Sequence, residues 1–397
     1  MTIGITGPVD IHKLAYDFGD VKLPDTHTFP LPTHLVNALL RRGHKVIVYT
    51  TSGTAEAPFV LEREQITICV GTTRPKPGRR FFDHEINGLS QLMRSYPADV
   101  VHAFWTYEFA LAALKSGLPT IVGIHDVAGR ILRTQFDMFR LVRWGMNLKT
   151  IWTAKYLAAN SAYTYQQLSK RTQQKTTIIN NFYSPELEQA LKHPIIKRNS
   201  IVTVTMGFTA RKGVPRALHA FARLRQQFPD LEYHLIGAEM EPEGPAQQYA
   251  RQHGLEAGVR FLGPLPIDDL IQHVAEARVM LHPSVEESFG MAPLEAMVVG
   301  TPVVGGCHSG FIPHLLNQGE AGLLCDVQSP DAMADSVAKL LADPVFADEL
   351  AQKARAFAHD NFSEEAVVQR HLELMKQVYD RHKRFSKSSD SVKTEAA

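Results

Sequence analysis

Cysteine is scarce in this 397-residue chain. Cys69, Cys307 and Cys325 form an odd, widely spaced set, with neither the density of a disulfide scaffold nor the CxxC spacing of a metal site. Reduced thiols in apolar strands are expected. No uncharged apolar run approaches the roughly 18 residues that a membrane-spanning helix needs. The N-terminal MTIGITGPVD places an acid and turn residues where a secretion signal needs an apolar core, so a cytoplasmic protein is expected. There is no DxD, and no His/Cys/Asp cluster has metal-ligand spacing. The GITG at residues 4–7 is not GxGxxG, and no acidic residue closes the following strand KVIVYT, which argues against a dinucleotide-dependent oxidoreductase. With 44% hydrophobic and 21% charged residues, disordered, collagenous and coiled-coil classes drop out.

What is present is a strand-then-helix rhythm in both halves, which predicts α/β architecture with parallel sheets covered on both faces. The first series reads TIGIT, KVIVYT, QITICV, DVVHAF and PTIVGI, with a helix over Leu31–Arg42 closed by Gly43 at the C′ position. The second reads IVTVTM, EYHLIG, VRFLG, ARVMLHP, TPVVGG and GLLCD. Polar LKHPIIKRNS, residues 191–200, is the expected linker between a domain over 1–190 and one over 200–362. Residues 386–397 lack apolar periodicity and are expected to be disordered. The halves differ in charge: residues 1–190 hold 21 Lys and Arg against 15 Asp and Glu, from totals of 42 and 41. That balance is too small for a nucleic-acid protein but suits a basic first half that meets an anion. Two open parallel sheets bind ligand at the carboxyl ends of their strands, so the expected site is the cleft between the domains.

The segment LHPSVEESFGMAPLEAMVVGTPVV, residues 281–304, follows a strand and opens a short helix, with Pro293 read as its first residue and Gly300 as its end. Glu287 then lies in the loop and Glu295 in the first helical turn. Between them the backbone of Phe289, Gly290 and Met291 approaches a helix N-terminus, a setting suited to an anion. A second loop, TMGFTARKGVPRALHAF, presents Arg211 and Lys212, with Gly207 and Gly213 allowing close backbone approach. His125 follows PTIVGI, at the carboxyl end of a strand in the first half.

These motifs resemble the GT-B fold glycosyltransferases of family 4, which transfer a sugar from a nucleotide-sugar donor. Glu287 and Glu295 match the family's pair of glutamates separated by seven residues, and RRGHKV, DVVHAF, VRFLGPLP and the C-terminal NFSEEAVVQRHLELMKQVY also have counterparts. The resemblance implies two Rossmann-like domains facing each other across a cleft, and a retaining hexosyltransferase. Its donor is a UDP- or GDP-sugar; its acceptor is a glycan, a lipid-linked sugar or a small molecule. Glu295 is then the ribose ligand and Glu287 lies at the donor sugar. The amides of Phe289–Met291 face sugar and diphosphate, and Lys212 meets the diphosphate. His125 matches the cleft histidine, whose imidazole can exchange a hydrogen bond or proton near the sugar. His102, inside a strand, is read as packed.

The sequence also departs from the family. Phe208 stands where an arginine is usual, leaving Arg211 as its candidate substitute. HSGFIPHLL keeps Gly310 and Pro313 but puts Phe311 and His314 at the usual glycine and glutamate. The acceptor-side Gly-Gly loop is replaced by a longer segment with Gly7, Asp10 and Tyr16 as candidates. Basic groups and helix amides, rather than a metal or other cofactor, are expected to neutralise the leaving group. The family fold further implies that a helix over 363–385 crosses back to the first domain. Residues 130–152, RILRTQFDMFRLVRWGMNLKTIW, are read as a basic amphipathic helix, with Arg130, Arg133, Asp137 and Arg140 on one stripe and Leu132, Phe136 and Phe139 on another. It either packs its apolar stripe on the core or meets a membrane peripherally. The alternative to an enzyme is a non-catalytic subunit of the same fold.

Overall fold

β-Branched runs buried on both faces build two mostly parallel sheets. The computed structural model describes residues 1–134, 136–190 and 195–394. The chain divides into two units, Met1–Asn180 with Val367–Ala397, and Asn181–Ala366. The division thus falls ten residues before the expected end of the first domain, and the short helix Glu186–Ala190 lies within the second unit. Leu191 to Pro194, the start of the expected linker, lie outside the described residues.

The first sheet contains β1 (Thr2–Thr6), β2 (Lys45–Ser52), β3 (Phe59–Glu62), β4 (Ile66–Thr72), β5 (Val100–Ala103), β6 (Thr120–Ile124), β7 (Tyr156–Ala159) and β8 (Thr176–Ile178). Its order is β3-β4-β2-β1-β5-β6-β7-β8, all parallel except β3 against β4. The strands β3, β7 and β8 were not legible as strands: each has only three or four residues and no long apolar run. The helix Pro30–Arg41 is closed by Gly43 at φ +76°, as its sequence predicts.

The second sheet contains β9 (Ser200–Val204), β10 (Glu232–Ile236), β11 (Val259–Gly263), β12 (Val279–His282), β13 (Val303–Gly306) and β14 (Leu323–Cys325). Its order is β11-β10-β9-β12-β13-β14, the doubly wound Rossmann order, with the direction of winding reversing between β9 and β12. In the first unit the same reversal falls between β1 and β5. Cys69 and Cys325 are buried in β4 and β14, while Cys307 follows β13; all three are free.

Two helical expectations need correction. The 130–152 segment is not one helix: Ala128–Thr134 ends before Asp137, whose side chain accepts from the Arg140 amide and caps a new helix, Met138–Thr153. Aspartate competes for backbone N–H groups and so starts helices more readily than it continues them. The expected tail, in turn, is helical through Thr394, where the helix Glu364–Thr394 ends. Val367, Val368, His371, Leu374, Met375 and Val378 give that helix a buried stripe, and no Gly or Pro follows to stop it. Residues 395–397 lie outside the described residues. No described helix is long and apolar enough to cross a membrane.

Candidate active site

In the second unit the chemistry gathers where the sheet reverses. The loop after β9 carries Gly207, Arg211, Lys212 and Gly213, and the loop after β12 carries Glu287, Phe289 and Gly290. Neighbouring strands therefore bring the two loops together. Gly213 makes the closest approach: at φ +72°, a Cβ there would sit 2.0 Å from the Pro283 carbonyl oxygen. The Val285 amide donates to the Arg211 carbonyl at 2.8 Å, and Arg211 Nη1 donates to the Glu286 carbonyl at 3.1 Å. Arg211 thus braces the glutamate loop through its backbone.

This pairing places Lys212 Nζ 2.6 Å from Glu287 Oε1, with His282 Nε2 3.5 Å from the same oxygen. All three side chains are largely withdrawn from water. Burial alone drives the Glu287 carboxyl pKa upward, but the Lys212 charge and the His282 contact outweigh it and hold the group well below the usual carboxylate range. Glu287 is an anion, and Lys212 is its counterion. Sequence reasoning missed His282. Its signal was position, as the last residue of a strand at the carboxyl edge of the sheet.

The helix after Glu287 spans Met291–Val298, starting two residues before Pro293. Proline is tolerated anywhere in the first turn, where N–H groups lack intrahelical acceptors, so it does not fix the start. Gly290 occupies the N-cap at φ 104° with no side-chain cap, leaving the first-turn amides without a side-chain acceptor. Gly300, at φ +74°, follows the end as expected. Glu295 consequently lies one turn deeper than the first. It has no charged partner among the described residues, and burial pushes its pKa up to about 7. Ribose hydroxyls can donate to a carboxylate but not equally to a carboxylic acid. With Glu295 as the ribose ligand that the family resemblance implies, donor affinity is expected to be about tenfold weaker at pH 6 than at pH 8, tracking the ionised fraction of Glu295. Titrating a nucleotide sugar, whose diester diphosphate does not ionise in this range, checks this; Glu295→Gln should flatten the profile.

The departures at Phe311 and His314 have a structural meaning. Phe289, 2% exposed, stacks on Phe311 at 5.1 Å, and Phe311 stacks on His314 at 5.6 Å with 6° between planes. An aromatic column therefore backs the Phe289–Met291 backbone. Gly310 is required in front of it: at φ +64°, a Cβ would lie 2.1 Å from the Glu287 carbonyl oxygen. The Phe311 amide donates to that same oxygen at 3.0 Å. At the far edge of the other loop, Gly207 has φ +89°, and the Phe208 amide donates to Glu239.

In the first unit, His125 follows β6 and stacks on Phe104 at 5.1 Å with 12° between planes. Trp105, beside it at 5.5 Å, holds φ 61°, a strained conformation for a bulky residue and a mark of a constrained site. Gly7 follows β1 and meets this group, since a Cβ would stand 3.0 Å from Phe104 Cβ. His102 is buried in β5, 5.0 Å from His371 between ring centroids. Asp10 caps the short turn Ile11–Lys13, accepting from the His12 amide at 3.1 Å, and Tyr16 packs on Phe18 at 5.1 Å. Gly7 and His125 therefore share one aromatic cluster, which Asp10 and Tyr16 do not join.

The family model of glycosyl transferases group 1 matches residues 187–357, and that of glycosyltransferase family 4 matches residues 33–187. The chain belongs to the GT-B glycosyltransferases. Among relatives of this glycosyltransferase, the D-inositol 3-phosphate glycosyltransferase of Corynebacterium urealyticum is 32% identical over 176 residues, 41% of each chain. The matched stretch thus spans about two-fifths of that relative's length. The N-acetyl-alpha-D-glucosaminyl L-malate synthase of Bacillus anthracis is 24% identical over 85% of this chain and 90% of its own. In fold, the sucrose-phosphate synthase of Thermosynechococcus elongatus superposes with TM-score 0.75 at 20% identity, over 96% of this chain and 99% of its own. HepE of Anabaena, solved with UDP and glucose, gives 0.68 at 19%, over 95% of this chain and all of its own.

Proposed function

We propose that this glycosyltransferase moves a hexosyl group from a nucleoside-diphosphate sugar, UDP- or GDP-linked, to a glycan, lipid-linked or small-molecule acceptor, with retention of anomeric configuration and without a metal. The observation that carries this reading is the Lys212–Glu287–His282 cluster beside an uncapped helix N-terminus at the sheet's reversal point. When the anomeric C–O bond breaks, its electron pair leaves with the diphosphate while positive charge builds on the sugar. Lys212 and the first-turn amides are the groups suited to the departing charge, and Glu287 to the sugar side. The acceptor oxygen forms the new bond to the anomeric carbon and passes its proton to an oxygen of the departing diphosphate. His125 is the candidate for orienting the reacting groups. The same reading takes the protein to be cytoplasmic, with residues 130–152 in peripheral contact with a membrane.

A thermal-shift panel of UDP, GDP, ADP and their sugars tests the proposal. One base series should raise the melting temperature, since a ligand at about 100 times its Kd adds roughly 2.7 kcal/mol of apparent stability. Turnover of the matching donor should persist in EDTA. A flat panel would refute nucleotide-sugar use, and loss of turnover in EDTA that only a divalent ion restores would refute metal independence.

A further inference from the structure

The helix Met138–Thr153 carries a second apolar stripe on its outward face. Its inward face packs Val142, Met146 and Ile151 on the core beside polar groups: Asn147 Nδ2 donates to Thr106 Oγ1 at 2.7 Å, Thr150 is buried, and Arg143 pairs with Glu108 at 3.0 Å while lying 4.3 Å over the Tyr107 ring. Its outward face carries Trp144, Leu148 and Trp152, one every four residues, and these are 37%, 48% and 80% exposed. A helix with a single core-facing stripe would leave charged and polar residues on that outward face instead.

At the end of the stripe an open hollow of about 990 Å³ is bordered by Leu148 and Trp152 together with Lys149, Lys155, Arg171 and Lys175. No carboxylate lines it. Lys175 is committed to the chain, its Nζ donating to the carbonyls of Ile151 at 2.7 Å and Ala154 at 2.5 Å, where it closes the helix. Lys149, Lys155 and Arg171 are exposed and meet no carboxylate among the described residues. The surrounding chain supplies little counter-charge: residues 126–178 hold nine Lys and Arg against two Asp, and Asp137 is spent on its cap.

We propose that this face docks on an anionic phospholipid surface, with Trp144, Leu148 and Trp152 at the depth of the headgroup–acyl boundary and the lipid phosphates in the basic hollow. The proposal deepens the membrane contact named above by assigning the face and the headgroup charge. Charge complementarity selects this occupant. A hollow with three uncommitted cations and no acid repels a second copy of itself, whereas tryptophan beside lysine suits the boundary between acyl chains and headgroups. Each basic residue near such a surface is worth about fivefold in partitioning.

Sedimentation of the full chain with vesicles of phosphatidylcholine alone, or of phosphatidylcholine with roughly one-third phosphatidylglycerol, provides the test. Binding is expected only to the anionic vesicles and should weaken steeply with added salt. Lys149→Glu with Lys155→Glu should reduce binding by at least tenfold and flatten the salt dependence. Trp152→Ala should reduce binding by about tenfold and leave the salt dependence as it was. All these positions are exposed, and nucleotide-induced thermal shift should be unchanged in each variant, so failure at vesicles stays separate from failure of the sugar-transfer reading. Absence of binding to anionic vesicles, binding that survives both variants, or a dimer that Trp152→Ala dissociates would each overturn the proposal.

Discussion

Lys212→Ala should lower kcat/KM for the donor by about 10² to 10³, corresponding to roughly 3–4 kcal/mol of lost transition-state stabilisation. The magnitude follows from where the charge sits. Lys212 is largely withdrawn from water, so its interaction with a departing diphosphate is weakly screened. It is also already held in place, with its glycine neighbour wedged against the Pro283 carbonyl. The same substitution removes the counterion of a buried carboxylate, and breaking such a pair costs stability in its own right. A comparison with Glu287→Gln separates the two effects. That variant neutralises the carboxylate and releases Lys212, so nucleotide diphosphate affinity should hold or rise while transfer falls. Lys212→Arg keeps the charge but not the point geometry, and should recover binding before it recovers rate. If Lys212→Ala lowers the melting temperature yet leaves kcat/KM per folded molecule unchanged, Lys212 is a structural cation and the donor assignment falls.

Much of the second unit could be read from its sequence because its strands are continuous apolar runs that alternate with helices. All six were legible, and their order put the two motif loops side by side. Glu287 and Lys212 were identifiable from their loop motifs and the family resemblance, and the winding reversal in the fold explains why those loops meet. His282 was not, since a histidine ending an apolar strand reads as packing until its neighbour is known. The first unit was less transparent. β7 and β8 are too short to show alternation, and the Trp105 backbone conformation leaves no trace in residue type. The 130–152 segment misled in an instructive way. Apolar residues at helical spacing were read as a stripe for the core or a membrane, but the stripe chosen, Leu132, Phe136 and Phe139, straddles a capped break. The continuous one is Trp144, Leu148 and Trp152. Periodicity gives the angle between faces and not which face is inward; that was decided by Asn147 and Arg143 finding partners.

Acidification should destabilise the protein through two histidines that the fold keeps neutral. His102 and His371 are buried against each other in the first unit. Burial, and then the His125 charge, pushes the His371 pKa down to about 3. His102 is lowered likewise by burial first and by His371 and His125 next. In the unfolded chain both bind a proton near pH 6.5, and in the folded chain neither does until far lower pH. The unfolded state therefore holds more protons across the interval between those values, and stability falls as pH falls through it. From pH 7 to pH 5 His371 should cost about 2 kcal/mol, and His102 adds to the loss in the same direction. Glu295 works in the opposite direction. Its raised pKa makes the folded state the better proton binder between the ordinary carboxylate value and about 7, returning roughly 2 kcal/mol over the same range. The His371 and Glu295 contributions nearly offset each other, so the native chain should lose stability over this range through His102, measured by denaturant unfolding at the two pH values. His371→Phe removes one neutral histidine while keeping a ring against His102, and should shift the change between pH 7 and pH 5 by about 2 kcal/mol toward stability, whatever it does to stability at pH 7. Glu295→Gln should deepen the loss by roughly 2 kcal/mol. A pH slope that is the same in the native chain and His371→Phe would mean that His371 takes up its proton without leaving the fold. The helix that carries it would then have to be looser against β5 than a 5.0 Å ring contact allows.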